Sequence, residues 1–341
     1  MRSRRLFLAT ALAAVSGELL RTESAAAEGP QATLAAAGLV RQGGSLWVLP
    51  AERRLRSQLN DLPTLRDAIT VLDREVAERA RQNREIFESS QPTIESLKQA
   101  IARLPANDAK RRPLERQLAA EQARSTPPDR LAGRRDVRNL LVQLSQQRTT
   151  LTLRLLSARR TIPELRAEYG RLAMDEGIAQ ALAELGTGNR LGPARPLEPE
   201  LRRLVESETI AFTPYVPIWL QSGRFRLTAI IDERQPLTLS WNEYPGQGLI
   251  LTASAAQALD VRPSAKEESR DLDLEKGRKV RATRATVSSL RLARAMVEDV
   301  PAWVLAPEGE DLGSQIDSTA LEGYVARCEP AALRLTLQPR E

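Results

Sequence analysis

The sequence predicts a two-part α+β protein, with an antiparallel coiled-coil helical hairpin at residues 52–185 and an all-β domain at residues 210–341. Three observations carry this. Apolar residues recur at alternating steps of three and four through much of the first half, which keeps them on one stripe of a helix. A stretch holding Gly186, Gly188, Gly192, Pro193, Pro196 and Pro199 then interrupts the pattern. Beyond Ile210 the apolar period becomes two, as a strand with one buried face requires.

The chain begins with a basic segment, Arg2 to Arg5, followed by the apolar run Leu6–Val15. That run is too short to span a bilayer and fits the core of a signal peptide. Ser3-Arg4-Arg5-Leu6-Phe7-Leu8 resembles the twin-arginine export motif, and Ala25-Ala26-Ala27 supplies small residues for cleavage ahead of Glu28. Residues 1–27 are therefore expected to be a signal peptide, and the protein to be periplasmic or secreted in a bacterium. A retained N-terminal anchor is the alternative. Residues 28–51 form a lead segment in which Gly43-Gly44-Ser45-Leu46-Trp47 marks a turn into a short strand.

In the first arm Leu62, Ile69, Val76 and Asn83 recur at seven, and Leu65, Leu72, Arg79 and Ile86 follow three residues later. Asn83 on this stripe is a polar residue of the kind that fixes register. Past Pro92 the stripe resumes at Ile94, Leu97, Ile101 and Leu104 after a stutter. Pro105, Pro113, Pro127 and Pro128 mark the turn region, with a short helix expected around Leu114–Ala123. The second arm repeats at Val137, Leu144, Leu151, Ala158, Leu165 and Leu172, with Leu141, Leu155, Ile162 and Tyr169 between them. Arg148 is the one break, and Pro163 predicts a local kink. Arms of about 45–50 residues give a hairpin roughly 70 Å long at 1.5 Å per residue. Residues 186–209 are expected to be a linker, with a short helix at Glu200–Glu208.

In the β domain Phe225, Leu227, Ala229 and Ile231 alternate with more polar residues, turn at Asp232–Gln235, and return along Pro236–Trp241. Strands are further expected at Gly248–Thr252, Val280–Thr283, Val287–Leu292, Ala302–Leu305 and Leu333–Leu337, with a short helix at Ala253–Leu259. Several segments in this order resemble the retropepsin-like, single-lobe aspartic protease family. They are Val216-Pro217-Ile218 with Gly223-Arg224-Phe225, Ala255–Val261, Lys276–Val280, Ser289–Leu292, Val297–Leu305, Leu312-Gly313 with Ala320–Tyr324, and Ala332–Leu337. The resemblance implies a β-barrel, a flap tipped by Gly277, and an Asp-Thr/Ser-Gly motif after the strand Leu237–Trp241.

That motif is missing. Without gaps, Glu243 falls at the family's Asp position, Tyr244 at its Thr/Ser and Pro245 at its Gly; one residue of slippage puts Asn242 there instead. Aspartic proteolysis needs two carboxylates sharing a proton. Glu is longer by a methylene, and misplacing a catalytic group by about 1 Å costs on the order of 100-fold. Asn cannot ionise, and Pro245 removes a turn N–H. No catalytic residue is therefore expected. Asp232 is read as a solvated turn residue, and Asp317 as a surface or capping residue.

Composition narrows the rest. The chain has no His and a single Cys, Cys328, which excludes Ser-His-Asp and Cys-His catalysis, His-ligated metals and an intrachain disulfide. No cofactor or metal is expected. The net charge of +6 rests on Arg interleaved with Asp and Glu, a solvated pattern that does not point to nucleic acid. No later segment is apolar enough for a stable membrane span. These features lead to an exported, non-catalytic coiled-coil protein whose protease-like groove binds an unknown peptide or protein by strand addition. An active peptidase with a non-standard carboxylate and a purely structural envelope protein are the alternatives. A monomer is expected because the hairpin satisfies its own stripes; a homodimer is what the family's paired lobes imply.

Overall fold

The computed structural model describes residues 29–244, 246–263, 268–274 and 277–341, so the expected signal segment lies outside the described residues. Helix α1 (Pro30–Ala36) leads into a hairpin of β1 (Val40–Gln42) and β2 (Leu46–Val48). Then come α2 (Pro50–Asn60), α3 (Leu62–Ala102), α4 (Arg111–Arg124), a 3-10 turn at Pro128–Gly133, α5 (Arg135–Ala173) and α6 (Glu176–Glu184). Strand β3 (Arg190–Leu191) joins β2 in parallel, and α7 (Glu198–Ala211) completes the helical region. Proline stands in the first two positions of α1, α2, α3 and α7, where a missing N–H leaves no helical bond unmade.

Every position of the second arm's predicted stripe is buried in α5. Helices α3 and α5 run antiparallel, since Asp73 pairs with Arg148 while the earlier Asp61 pairs with the later Arg154. Their pairing is shorter than the sequence predicts. The far half of α3, with buried Ile94 and Leu97, packs on α4 instead of α5. Asn83 does not set a helix–helix register; its Nδ2 donates to the Thr126 carbonyl at 2.9 Å and pins the connector after α4. Both long helices continue through Pro92 and Pro163. The predicted linker is folded too. Leu197, Leu204 and Ala211 share one core with Leu55 of α2, Ile69 of α3 and Leu151 and Leu155 of α5. The α5 stripe is thus covered by three helices, and α7 belongs to the bundle. Arg159 is exposed, but Arg154 is half-buried by its ion pair with Asp61.

The second half contains β4 (Tyr215–Pro217), β5 (Trp219–Gln221), β6 (Arg224–Ile231), β7 (Gln235–Trp241), β8 (Leu249–Leu251), α8 (Ala253–Ala258), β9 (Ser269–Leu274), β10 (Arg278–Leu292) and β11 (Ala295–Leu305). After a 3-10 turn at Pro307–Leu312 follow β12 (Gln315–Ile316), a second such turn at Ser318–Ala320, β13 (Tyr324–Glu329) and β14 (Arg334–Pro339). One eight-stranded sheet runs β5-β6-β7-β12-β8-β11-β10-β9, and β10 also pairs with β6 at Leu290↔Ile231 and Arg291↔Ile230. Its core holds Leu227, Ile231, Leu239 and Leu251, with Phe225 packed alongside. The small sheet β13-β14-β4 joins that core through Val216, Leu335 and Leu337. The two strands predicted at 280–292 are one continuous strand.

Helix α5 has a second buried face. Ser145, Arg148 and Thr152, three and four residues apart, turn toward the β domain, where Ser145 bonds the Thr228 hydroxyl at 2.8 Å. The break that Arg148 makes in the stripe is therefore a junction between the two halves. Among the described residues no helix is long and apolar enough to cross a membrane.

Candidate functional site

The segment at which the sequence places the lost motif is the loop from Asn242 to Gly248, between β7 and β8. Strand β12 lies between those two strands, parallel to β7 and antiparallel to β8, so loop and β12 meet end to end. The Asn242 N–H continues the ladder by donating to the Ile316 carbonyl at 2.8 Å. Its side-chain oxygen then accepts from the Tyr244 N–H at 3.0 Å, a local bond that turns the chain outward. Glu243 and Tyr244 are exposed beyond that turn.

The residue in command of the loop is Asp317, directly after β12. It is 1% exposed. One carboxylate oxygen accepts from the N–H groups of Gly246, Gln247 and Gly248 at 3.2, 2.9 and 2.9 Å. The other accepts from the Thr319 N–H and hydroxyl at 2.7 and 2.6 Å. The Asp317 N–H returns a bond to the Gly248 carbonyl at 3.2 Å. Gly248 takes a φ of +72° to present its N–H, a conformation that strains any residue with a Cβ. Asp317 is thus a capping residue, as expected, but not a surface one. Its sequence signal is an Asp two residues before a Thr, directly after an apolar strand end, a local capping pattern.

Asp232 also differs from its predicted role as a solvated turn residue. With φ at +52°, its carboxylate accepts from the Ser289 N–H at 2.9 Å and ties the β6–β7 turn to β10. Gly277 lies in the turn joining β9 to β10 with φ at +71°, as a hairpin tip requires. That hairpin is fastened down. Leu272, Leu274, Val280 and Ala282 of the hairpin pack with Ile250, Trp303, Leu305 and Leu312 in a core of their own. Arg278 pairs with Asp311 at 2.8 Å, and Gln247 Nε2 donates to the Asp273 carbonyl at 2.6 Å. The inner face of the hairpin is filled by the protein's own side chains, and the sheet ends on β5 at one side and β9 at the other.

Cys328, on β13, is half-buried, and burial pushes its thiol up to about 12, with the Glu243 and Glu329 carboxylates adding to the effect. Among the described residues no group of three or more His, Cys, Asp or Glu side chains forms a metal site. No family model, curated protein or solved structure matches the chain.

Proposed function

We propose that this is an exported, non-catalytic binding protein, in which a retropepsin-like β domain is carried on a helical support and captures an extended peptide segment by strand addition. The observation that carries the non-catalytic reading is Asp317. In an aspartic peptidase the turn N–H groups hydrogen-bond the reacting carboxylates; here those of residues 246 to 248 are consumed by a buried carboxylate from β12. Glu243 stands outside that cradle on the exposed turn. The ring of pairings from β6 through β7, β12, β8, β11 and β10 back to β6 supports a single barrel-like lobe.

Capture is assigned to β9. The face beneath the β9–β10 hairpin is packed, and the other end strand, β5, is only three residues long and lies against the 3-10 turn at Pro128–Gly133, so an added strand is assigned the outer edge of Ser269–Leu274, where it would meet the Gln247 bond to the Asp273 carbonyl. Asp271 and Asp273 are exposed there, charges that oppose indiscriminate pairing with apolar strands. The test uses the full-length chain, because α7 and α5 both pack across what the sequence marks as a boundary. A degenerate peptide library is incubated with the protein between pH 3 and 7, and products and retained peptides are read by mass spectrometry. Retention without cleavage, with slowed amide exchange over 269–274, is the expected result. Cleavage abolished by Glu243→Gln would establish the peptidase reading instead, and retention of nothing would favour a structural role. For export, the native protein is expected to begin close to Glu28; an intact Met1 in the envelope fraction would point to a retained anchor.

A further inference from the structure

At the junction of α5 with the β domain lies a partly open pocket of about 30 Å³. Its walls carry the guanidiniums of Arg148 and Arg291 and the hydroxyls of Thr149, Thr152, Thr213 and Tyr215, and no carboxylate is among the described residues lining it. Arg148 is only 6% exposed. It gives Nη2 to Asp73 and the Tyr215 hydroxyl and Nη1 to the Thr213 hydroxyl, while its Nε–H is buried without an acceptor. Arg291 reaches Glu233 at 2.7 Å through Nη2 and lies over the Phe212 ring, and its Nε–H is likewise buried without an acceptor.

The lining is rich in hydrogen-bonding groups: two guanidiniums, each already paired with a carboxylate beyond the wall (Asp73 and Glu233), and hydroxyls that can donate or accept. A buried donor left unmade costs roughly 1–3 kcal/mol, so two on adjacent cations are unusual unless something accepts from them. The volume exceeds the roughly 10–15 Å³ needed for a single water. The acceptor's charge selects further: a guanidinium N–H bonds most strongly to an ionised oxygen, and one Nε–H on each arginine remains to make such a bond. We propose that the cavity binds one small tetrahedral oxyanion of the inorganic phosphate or sulfate class. The ion bridges Arg148 on α5 and Arg291 on β10, and so couples the helical region to the β domain. Nothing in this depends on how the loop at Asn242–Gly248 is used.

The experiment titrates the full-length chain with inorganic phosphate, and separately with sulfate, at ionic strength held constant with chloride. Melting temperature and the ³¹P line width of phosphate are followed. Wild type is expected to show saturable binding in the ³¹P titration, from which the midpoint is read, and a melting temperature that climbs with the logarithm of phosphate above that midpoint. Arg291→Gln should shift the midpoint to about tenfold higher phosphate or more, the loss of one charge-assisted contact. Arg166→Gln, which alters an exposed ion pair with Glu198 far from the cavity, should leave the midpoint unchanged. If Arg291→Gln does not fold, Thr149→Val on the cavity wall replaces it and should weaken binding severalfold. No saturable response in wild type, or an unchanged midpoint in the cavity variant that folds, overturns the proposal. A parallel titration with glycerol phosphate distinguishes the source: tighter binding of the ester than of the free ion would overturn the assignment to a free ion.

Discussion

Glu52 in the helical region and Asp317 in the β domain are shielded from solvent to the same degree, at 0% and 1% exposure, yet their charges are held by different means. Glu52 is surrounded mainly by side chains. It pairs with Arg56 at 2.7 Å, accepts from the Tyr169 hydroxyl, and takes one backbone bond, from the Ala194 N–H at 2.9 Å. Among the described residues no cation bonds Asp317; four backbone N–H groups and one hydroxyl hold it. The first arrangement joins α2, α5 and the segment before α7 through groups that can each be replaced. The second folds a loop around one anion, so the loop's conformation and the carboxylate depend on each other. Buried charge is costly unless paired or fully hydrogen-bonded, and this chain uses both solutions.

The largest effect expected is for Asp317→Ala. It removes the acceptor for five donors, and a loss of about 3–5 kcal/mol follows from the cost of orphaning buried polar groups. Asp317→Asn should be nearly as damaging, because its amide brings two donors to a site built of donors. Glu52→Gln should cost less, about 1–2 kcal/mol, since the amide oxygen still accepts and Arg56 retains Glu200 at 3.5 Å and the Arg195 carbonyl. Denaturant midpoints with unchanged slopes would measure all three. The contrast between the two carboxylates breaks if Glu52→Gln proves more damaging than Asp317→Asn.

Tyr169→Phe comes next, at roughly 1–2 kcal/mol, because the Leu49 N–H loses its acceptor and Glu52 one of its donors. Burial, reinforced by the Glu52 carboxylate, holds the Tyr169 hydroxyl well above the usual tyrosine range. The folded state therefore keeps this proton after the unfolded chain has released it. Its contribution is complete below about pH 10, the ordinary value, and declines as pH rises beyond that. The Phe variant should lose this component of alkaline destabilisation, which unfolding measured from pH 8 to 11 would reveal. An identical pH profile in both proteins would remove Tyr169 from the account.

Much of the helical region was legible because α5 obeys a single rule. All ten stripe positions from Val137 to Leu172 repeat at helical spacing and all are buried. Harder to see was what covers them. Leu204 lies on the short helix expected at Glu200–Glu208, but nothing in the Gly- and Pro-rich stretch showed that this helix packs on the bundle, and no local pattern tells which of three helices will cover Leu151. Arg148 looked like an interruption because a stripe analysis asks only for apolar residues. Ser145 and Thr152 on either side of it were the sign of a second, polar face. In the β domain the hairpin Arg224–Trp241 was plain from alternation. Strand β12 was not, since it is two residues long and carries Gln315, and its place between β7 and β8 is set by pairings distant in sequence. The capping role of Asp317 was legible, but its burial and its hold on the loop were missed for the same reason: they depend on a segment 70 residues earlier.

The smallest effect in energy is the one that best reports on the loop. At pH 8 the Cys328 thiol, raised to about 12 first by burial and then by Glu243 and Glu329, is almost wholly protonated. Because the thiolate is the reacting form, a disulfide reagent should label Cys328 roughly a hundredfold or more slowly than an unhindered cysteine. Glu243→Gln removes one neighbouring charge and should accelerate labelling modestly, with no measurable change in the denaturant midpoint. Asp317→Ala should accelerate it further under native conditions, because releasing residues 246 to 248 frees the turn that carries Glu243. Ionic strength separates the two causes: salt screens the effect of a neighbouring charge on the thiol but does not alter access to it. If Asp317→Ala leaves the labelling rate at the wild-type value at both low and high salt, the carboxylate does not govern the loop, and the difference drawn between Glu52 and Asp317 loses its basis.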